Sequence, residues 1–381
     1  MYWQREVLRS GTAMTFNETW EMDLPKKGGI LGSLALYLRS TTNADPFATA
    51  VKWRLIDYIS KIEVIPDGGD PIKSFDGRQA LASCYYDQGQ IPTSQWRYYT
   101  NTPNRQWIIL NFGRKLLDEL YALNLSRYEN VKLKITNDAT STQFTTSVQL
   151  DVIAYWMREP TSAPIGHFKE EEWVSIDPVA DAWNYQDLPT GLPIRRVLLR
   201  NRPGVDSADA KNNSSMFRLM DDINFRFKSG QSVVYRGSLE QLAHLGFLED
   251  GFQPMTWTNI DRTDEYGYEV GVGYVTGGVG AGMSSSATPS ATSTMGAADV
   301  NDSAQEIQQR VADQPLQGFW RGVGFMHNVP IFVARRPDLS DLLDPEAQKV
   351  VKLDTHCASG ATVSGTAAAA KSGIILSRLV R

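Results

Sequence analysis

The sequence is poor in the residues on which catalysis leans. Its 381 positions hold two cysteines and four histidines. Cys84 and Cys357 lie far apart, so no disulfide framework is indicated, and both read as small buried hydrophobes. His167, His244, His327 and His356 are scattered. No two stand at i, i+2 or i, i+4, so neither a paired-His metal site nor a His-Glu-x-x-His zinc helix can be written. No Gly-x-x-x-x-Gly-Lys-Ser/Thr phosphate loop occurs, and Gly277 to Gly282 lacks both the lysine and a following helix. Long apolar runs are missing too. Nothing approaches the roughly 20 residues of a membrane-spanning helix, and Met1-Tyr2-Trp3-Gln4-Arg5-Glu6 has no apolar stretch of a secretory signal. Without that signal, the acceptor triplets at Asn17, Asn124 and Asn213 read as chance. An excess of basic charge is absent as well: 38 Lys and Arg face 43 Asp and Glu, a net charge of −5. A nucleic-acid binder needs a basic stripe, so direct sequence-specific nucleic-acid binding is not expected, and no cofactor or metal is implied.

What the chain does have is length, aromatics and repetition. Its length suits two domains of about 150 to 200 residues. Ten Trp and fifteen Tyr supply large packing faces. The run Leu55-Ile56-Asp57-Tyr58-Ile59, a strand-like stretch and a short helical stretch around Gln79 to Tyr86 recur about 164 residues later. There the same events read Leu219-Met220-Asp221-Asp222-Ile223, Phe225 to Tyr235, and Ser238 to Phe247. A fold built twice points to architecture before chemistry. Asp57 and Asp221 occupy matching places, which a duplicated turn or cap explains better than catalysis.

Residues 1–14 carry Tyr2, Trp3, Arg5 and Arg9 ahead of any regular pattern and read as an arm, either frayed or docked on a neighbour or a membrane surface. From Thr15 to about residue 160 period-2 alternation predominates. Val131, Leu133 and Ile135 alternate with lysines, and Val148, Leu150, Val152 and Ala154 alternate in the same way, as in strands with one wet face. Pro66-Asp67-Gly68-Gly69 is a strong turn signal. The spacing predicts a helix opened by Gly113-Arg114 and running through Leu116, Leu117, Leu120 and Leu123, and another from Pro337 through Leu342 and Leu343. Residues 161–175 read as a linker, and 176–381 as the second unit, interrupted at about 252–315 by a Gly-, Ser-, Ala- and Thr-rich insertion. The two later helices are about 223 residues apart, and the excess over 164 is close to the length of that insertion.

About eight strands per half, with few short helices, cannot make a covered parallel sheet. Two antiparallel sheets of four make a jelly roll. The expected fold is therefore all-β: two tandem eight-stranded jelly rolls with short helices in the loops.

The run Trp107-Ile108-Ile109-Leu110-Asn111-Phe112-Gly113-Arg114, the leucine-rich stretch and Asn130-Val131-Lys132-Leu133-Lys134-Ile135 resemble the first jelly roll of double jelly-roll major capsid proteins of tailless icosahedral viruses. The duplication, the length of each half and the insertion in the second copy resemble that family as well. The resemblance implies no enzyme but a virion shell protein, assembled in the host cytoplasm or nucleus. It would form homotrimers that give pseudo-hexagonal capsomers. Its implied partners are itself, neighbouring capsomers, penton and minor capsid proteins and, in some lineages, an internal lipid membrane.

On this reading Trp3, Arg5, Arg9, Arg195, Arg196, Arg335 and Arg336 are candidates for subunit or membrane contact, with Arg200 and Arg202 beside them. The same arginines also read as charge guarding an exposed strand edge. Glu170-Glu171-Glu172 reads as a solvated acidic run. Asp261, Asp264 and Glu265 do not follow the spacing of a calcium loop. An alternative of another class is a carbohydrate-binding jelly roll, a lectin or viral spike, with Trp96, Tyr98 and Tyr99 stacking on sugars. A third is a bicupin-like enzyme, which lacks its paired histidines, or one using Cys84 as nucleophile.

Overall fold

Two sheets and one short helix appear in the same spatial order twice along the chain. The computed structural model describes residues 1–26, 29–43, 55–95, 103–142, 144–202, 216–252, 255–260, 274–275, 316–334, 336, 342–358 and 371–381. The first half contains β1 (Tyr2–Met14), β2 (Glu18–Asp23), β3 (Ile30–Thr41), β4 (Ile59–Pro66), β5 (Lys73–Phe75), helix α1 (Gly77–Gln88), β6 (Ser94–Gln95), β7 (Pro103–Asn111), β8 (Leu123–Asn124), β9 (Val131–Asn137) and β10 (Val148–Arg158). The second contains β11 (His167–Ile176), β12 (Ala182–Asp187), β13 (Ile194–Arg202), α2 (Met216–Leu219), β14 (Asp222–Phe227), β15 (Ser232–Ser238), α3 (Leu239–Asp250), β16 (Met255–Ile260), β17 (Tyr274–Val275), β18 (Leu316–Val323), β19 (Asn328–Phe332), α4 (Pro345–Gln348), β20 (Val351–Cys357) and β21 (Lys371–Val380).

One sheet has the order β1-β10-β3-β7-β6, with β8 also on β3. An eight-stranded sheet runs β19-β13-β21-β11-β5-β4-β9-β2, and a four-stranded one β12-β20-β14-β15. Cut between β11 and β5, the long sheet yields two four-stranded halves, and the duplication becomes plain. Strands β1, β10, β3 and β7 stand where β11, β21, β13 and β19 stand in the second half. Strands β5, β4, β9 and β2 match β15, β14, β20 and β12. Each half is thus eight principal strands in two sheets. Pairing within each half is antiparallel. Among the described residues the one parallel strand pair is β11 with β5, where Glu170 faces Lys73 and Glu171 faces Ser74. That pair crosses between halves.

The elements follow from their residues. In β9, Val131, Leu133 and Ile135 are buried and the intervening lysines half-buried; β10 alternates in the same sense. Period-2 patterning turns one face of each strand into the core. Helix α1 is closed by a capping box in which Asp76 accepts from the Gln79 backbone while the Gln79 side chain accepts from Asp76 N–H, and it ends at Gly89 in the left-handed region. Helix α3 starts at Ser238, whose side chain accepts from the Gln241 N–H, and ends at Gly251, also in the left-handed region. Each half has its own apolar core. Leu198, Phe325, Met326 and Ile375, all from the second half, pack into the core of the first. The halves are fused by apolar contact as well as by a shared sheet.

Four expectations need correction. Residues 1–14 are not an arm: they form β1, paired along its length with β10. Trp156 is fully buried, and its indole N–H donates to Glu6 at 2.7 Å, fixing the strand in place. The stretch from Leu116 to Leu123 is not a helix. Asp118 captures the backbone N–H groups of Arg114 and Leu120 at 2.8 and 3.1 Å, and Leu117 has φ of 62°. A carboxylate that takes backbone donors competes with the helical ladder. The linker is shorter than 161–175, because β11 begins at His167. The insertion carries order at its ends, where β16 and β17 flank β18 in a small sheet. The helix expected from Pro337 falls largely outside the described residues; α4 follows it, capped by Asp344.

Candidate functional site: a buried ionic seam between the halves

Buried charged groups gather where β11 meets β5. Lys73 and Glu170, facing each other across that parallel pair, form an ion pair at 2.8 Å. Arg196 on β13 donates to the other Glu170 oxygen at 2.8 Å and to Asp87 of α1 at 3.0 Å. Arg195 reaches Asp87 at 3.0 Å and the Arg114 carbonyl at 3.1 Å. Ser83 of α1 donates to Glu170 and accepts from Arg196. Glu170 is 2% exposed, Arg195 6% and Arg196 2%.

A second ring surrounds this centre. Arg200 pairs with Asp76 at 2.9 Å and Glu172 at 3.3 Å. Gln79 donates to Glu172 at 2.9 Å. Arg378 pairs with Glu171, and Arg78 with Asp57. Tyr86 of α1 donates to the Asn328 carbonyl at 2.7 Å and accepts from Phe325 N–H at 3.1 Å, and Arg78 contacts His327 at 3.1 Å. Helix α1 of the first half is therefore held on its outer face by β11, β13 and the segment entering β19.

Burial sets the electrostatics. Desolvation alone would raise the Glu170 carboxyl, but Lys73 and Arg196 outweigh it and hold the group well below the usual carboxylate range. Desolvation pushes the Lys73 ammonium down, with Glu170 resisting. Asp87 is pushed up by burial against the pull of Arg196 and Arg195. In a dry seam, two carboxylates and three cations that satisfy one another lock orientation, because withdrawing any one strands its partners. Cys84 lies inside α1, its thiol pushed up to about 12 by burial, which removes it as a nucleophile. Among the described residues no group of three or more His, Cys, Asp and Glu is placed to hold a metal.

Arg195 and Arg196, expected at a subunit or lipid contact, thus lie inside one chain, because α1 of the other half covers them. The acidic run Glu170 to Glu172 is likewise not simply solvated: Glu170 pairs with Lys73 and Glu172 accepts from Gln79 across the seam, and Glu171 pairs with Arg378 within the second half. Trp3, Arg5 and Arg9 sit together on β1, at the outside of the first half. The Trp3 ring lies over Gly32, where a Cβ would come within 2.6 Å of it, and Arg5 stacks over Tyr155 at 5.8 Å. Arg336 is exposed. Arg335, Trp96, Tyr98, Tyr99, Asp261, Asp264 and Glu265 lie outside the described residues. Sequence reasoning missed Lys73, Asp87 and Arg378, and it placed Arg200 on the surface. One signal was available: Lys73 stands between Ile72 and Phe75 in an apolar context, where a lysine needs a buried partner.

No family model matches the sequence, and no curated protein does either. Solved structures do. A chain from the Sulfolobus turreted icosahedral virus is similar at 11% identity with a TM-score of 0.58, over 99% of this chain and 90% of that one. The PBCV-1 virus capsid gives 10% identity and 0.52, over 100% and 94%. The major capsid protein of bacteriophage PM2 gives 8% and 0.50, over 100% and 98%. The fold is the double jelly roll. In this double jelly roll the seam stands where the two rolls join, and the insertion at β16 to β18 decorates the second roll alone.

Proposed function

We propose that the chain is the major capsid protein of a tailless icosahedral virus, a structural protein of the virion rather than an enzyme, acting as a homotrimer. The observation that carries the reading is the pair of topologically identical eight-stranded rolls welded by a buried ionic seam, a geometry similar over nearly its whole length to viral capsid proteins. Two equivalent rolls per chain let three chains present six, giving a pseudo-hexagonal tile. Neighbouring capsomers are its partners in the shell. Penton and minor capsid proteins, and a lipid layer beneath, are further partners on this reading, and Trp3, Arg5, Arg9 and Arg336 are the contact residues it favours. Assembly takes place in the host cytoplasm or nucleus. The carbohydrate-binding alternative draws no support from the comparisons.

The test is the mass and outline of the purified chain. Native mass spectrometry should give three chain masses, and class averages from electron microscopy should show a six-cornered tile. A stable monomer or dimer at micromolar concentration defeats the reading.

A further inference from the structure

The duplication lets one half be used as a template for the other. Within the chain, the outer face of the β11-β21-β13-β19 sheet covers α1, and β11 lies parallel to β5 at the edge. The first roll has the same sheet, β1-β10-β3-β7, and the second roll has the same helix, α3. Among the described residues, Val7 on that sheet and Leu245 and Leu248 on that helix stay exposed. Caps place α3 against α1 position by position: Asp76 matches Ser238 and Gly89 matches Gly251. Ser83 then corresponds to Leu245 and Tyr86 to Leu248. Ser83 and Tyr86 are buried under the second half, whereas Leu245 and Phe247 are exposed and Leu248 is 75% exposed. The strand edges tell the same story. Among the described residues β1 has only β10 as a ladder neighbour, and β15 only β14.

The uncovered sheet face has the chemistry to receive those leucines. Val7 is 59% exposed and directly faces Ile153 across the ladder. Beside them Tyr37 and Trp107 stack at 4.4 Å between ring centroids. The equivalent face of the second roll instead presents Arg195's neighbours Arg196 and Arg200, matched to Asp87 and Asp76 of α1. Arg196 donates to Ser83 of α1, and the equivalent Leu245 of α3 offers no acceptor there. Exchanging the two helices would strand a buried arginine against leucine, so the two joints discriminate against each other.

We propose that the outer face of the β1-β10-β3-β7 sheet, centred on Val7, Ile153, Tyr37 and Trp107, seats the α3 face of a second copy of this chain through Leu245 and Leu248. Edge strand β1 then lies parallel to β15 of that copy. The contact is head-to-tail, repeating between chains the joint already made within each, and three chains close the ring. This rests on the trimer reading above and assigns its interface.

Two double variants test it: L245R/L248R on the helix and V7R/I153R on the sheet. All four side chains point out of the cores, and circular dichroism with thermal melting checks that each variant folds like the wild type. In analytical ultracentrifugation the wild type should be a trimer and each variant a monomer. An equimolar mixture of the two variants should give a 1:1 dimer, because one intact helix still meets one intact sheet. The single change L248S, milder at a highly exposed site, should raise the dissociation constant of the trimer at least tenfold. A wild-type trimer with both variants still trimeric, or a mixture that stays monomeric, overturns the interface and leaves the capsid reading standing. A monomeric wild type overturns both.

Discussion

Replacing Glu170 with glutamine is the sharpest probe of the seam. The substitution keeps the shape and removes one charge. Glu170 accepts from Lys73 and Arg196, each at 2.8 Å, and from Ser83 at 3.1 Å. In the variant, Lys73, Arg195 and Arg196 face Asp87 alone, and a new amide N–H₂ points at donors. Breaking a buried ion pair by removing one partner costs about 3–5 kcal/mol. For units of this size each kcal/mol moves the melting temperature by about 2–4 °C, so E170Q should melt roughly 10 °C below the wild type at pH 7. The sign with pH is fixed as well. The folded carboxyl lies well below its ordinary value of 4.5. Its contribution is therefore fully present above about pH 4.5 and is lost as the pH falls toward the folded value, so the two melting curves should converge in strong acid. Lys73→Met in the E170Q background should cost less than the two single changes added together, by about 1 kcal/mol or more. An E170Q melting point within about 2 °C of wild type at pH 7, or a gap that widens on acidification, refutes the dry seam.

Two further outcomes follow from burial. His167 is held down to about 4, first by desolvation and then by the charges of Lys73 and Arg127. The unfolded state binds its proton first as the pH falls from about 6.5, so this group lowers stability progressively down to pH 4. The total is roughly 3 kcal/mol at about 1.36 kcal/mol per pH unit. In chemical denaturation between pH 7 and 4, His167→Gln should flatten that slope, and an unchanged slope rejects the assignment. Cys84 and Cys357 are both buried. Neither should react with a thiol-specific chromogen in the native protein, and both should react after denaturation; a fast native phase from Cys84 contradicts its raised pKa.

The strands, their wet and dry faces and the duplicated order were legible because period-2 alternation is a local property. Val131 to Ile135 and Val148 to Ala154 advertise their faces with no reference to the rest of the chain. The short helical stretches around Gln79 to Tyr86 and from Ser238 to Phe247 were legible for the same reason. What escaped was non-local. Residues 1–14 alternate weakly because β1 sits at a sheet edge, so only its pairing with β10 reveals it as a strand. The leucines from 116 to 123 have helical spacing, but one carboxylate at Asp118 redirects the backbone. The seam escaped most fully. Arg195, Arg196 and Glu170 carry the composition of a solvated surface, and only the folding of α1 over β13 makes them an interior. A buried charge is visible in sequence only through its partner, and here the partner lies 97 residues away for Lys73 and 109 for Asp87 with Arg196.

The sheet that runs unbroken from β19 to β2 has a mechanical corollary. Eight strands in one hydrogen-bonded ribbon, pinned at mid-length by Lys73, Glu170 and Arg196, stiffen the junction between the halves. Wherever a closed container made from such rigid bricks must bend, the angle has to be absorbed in the mortar between them.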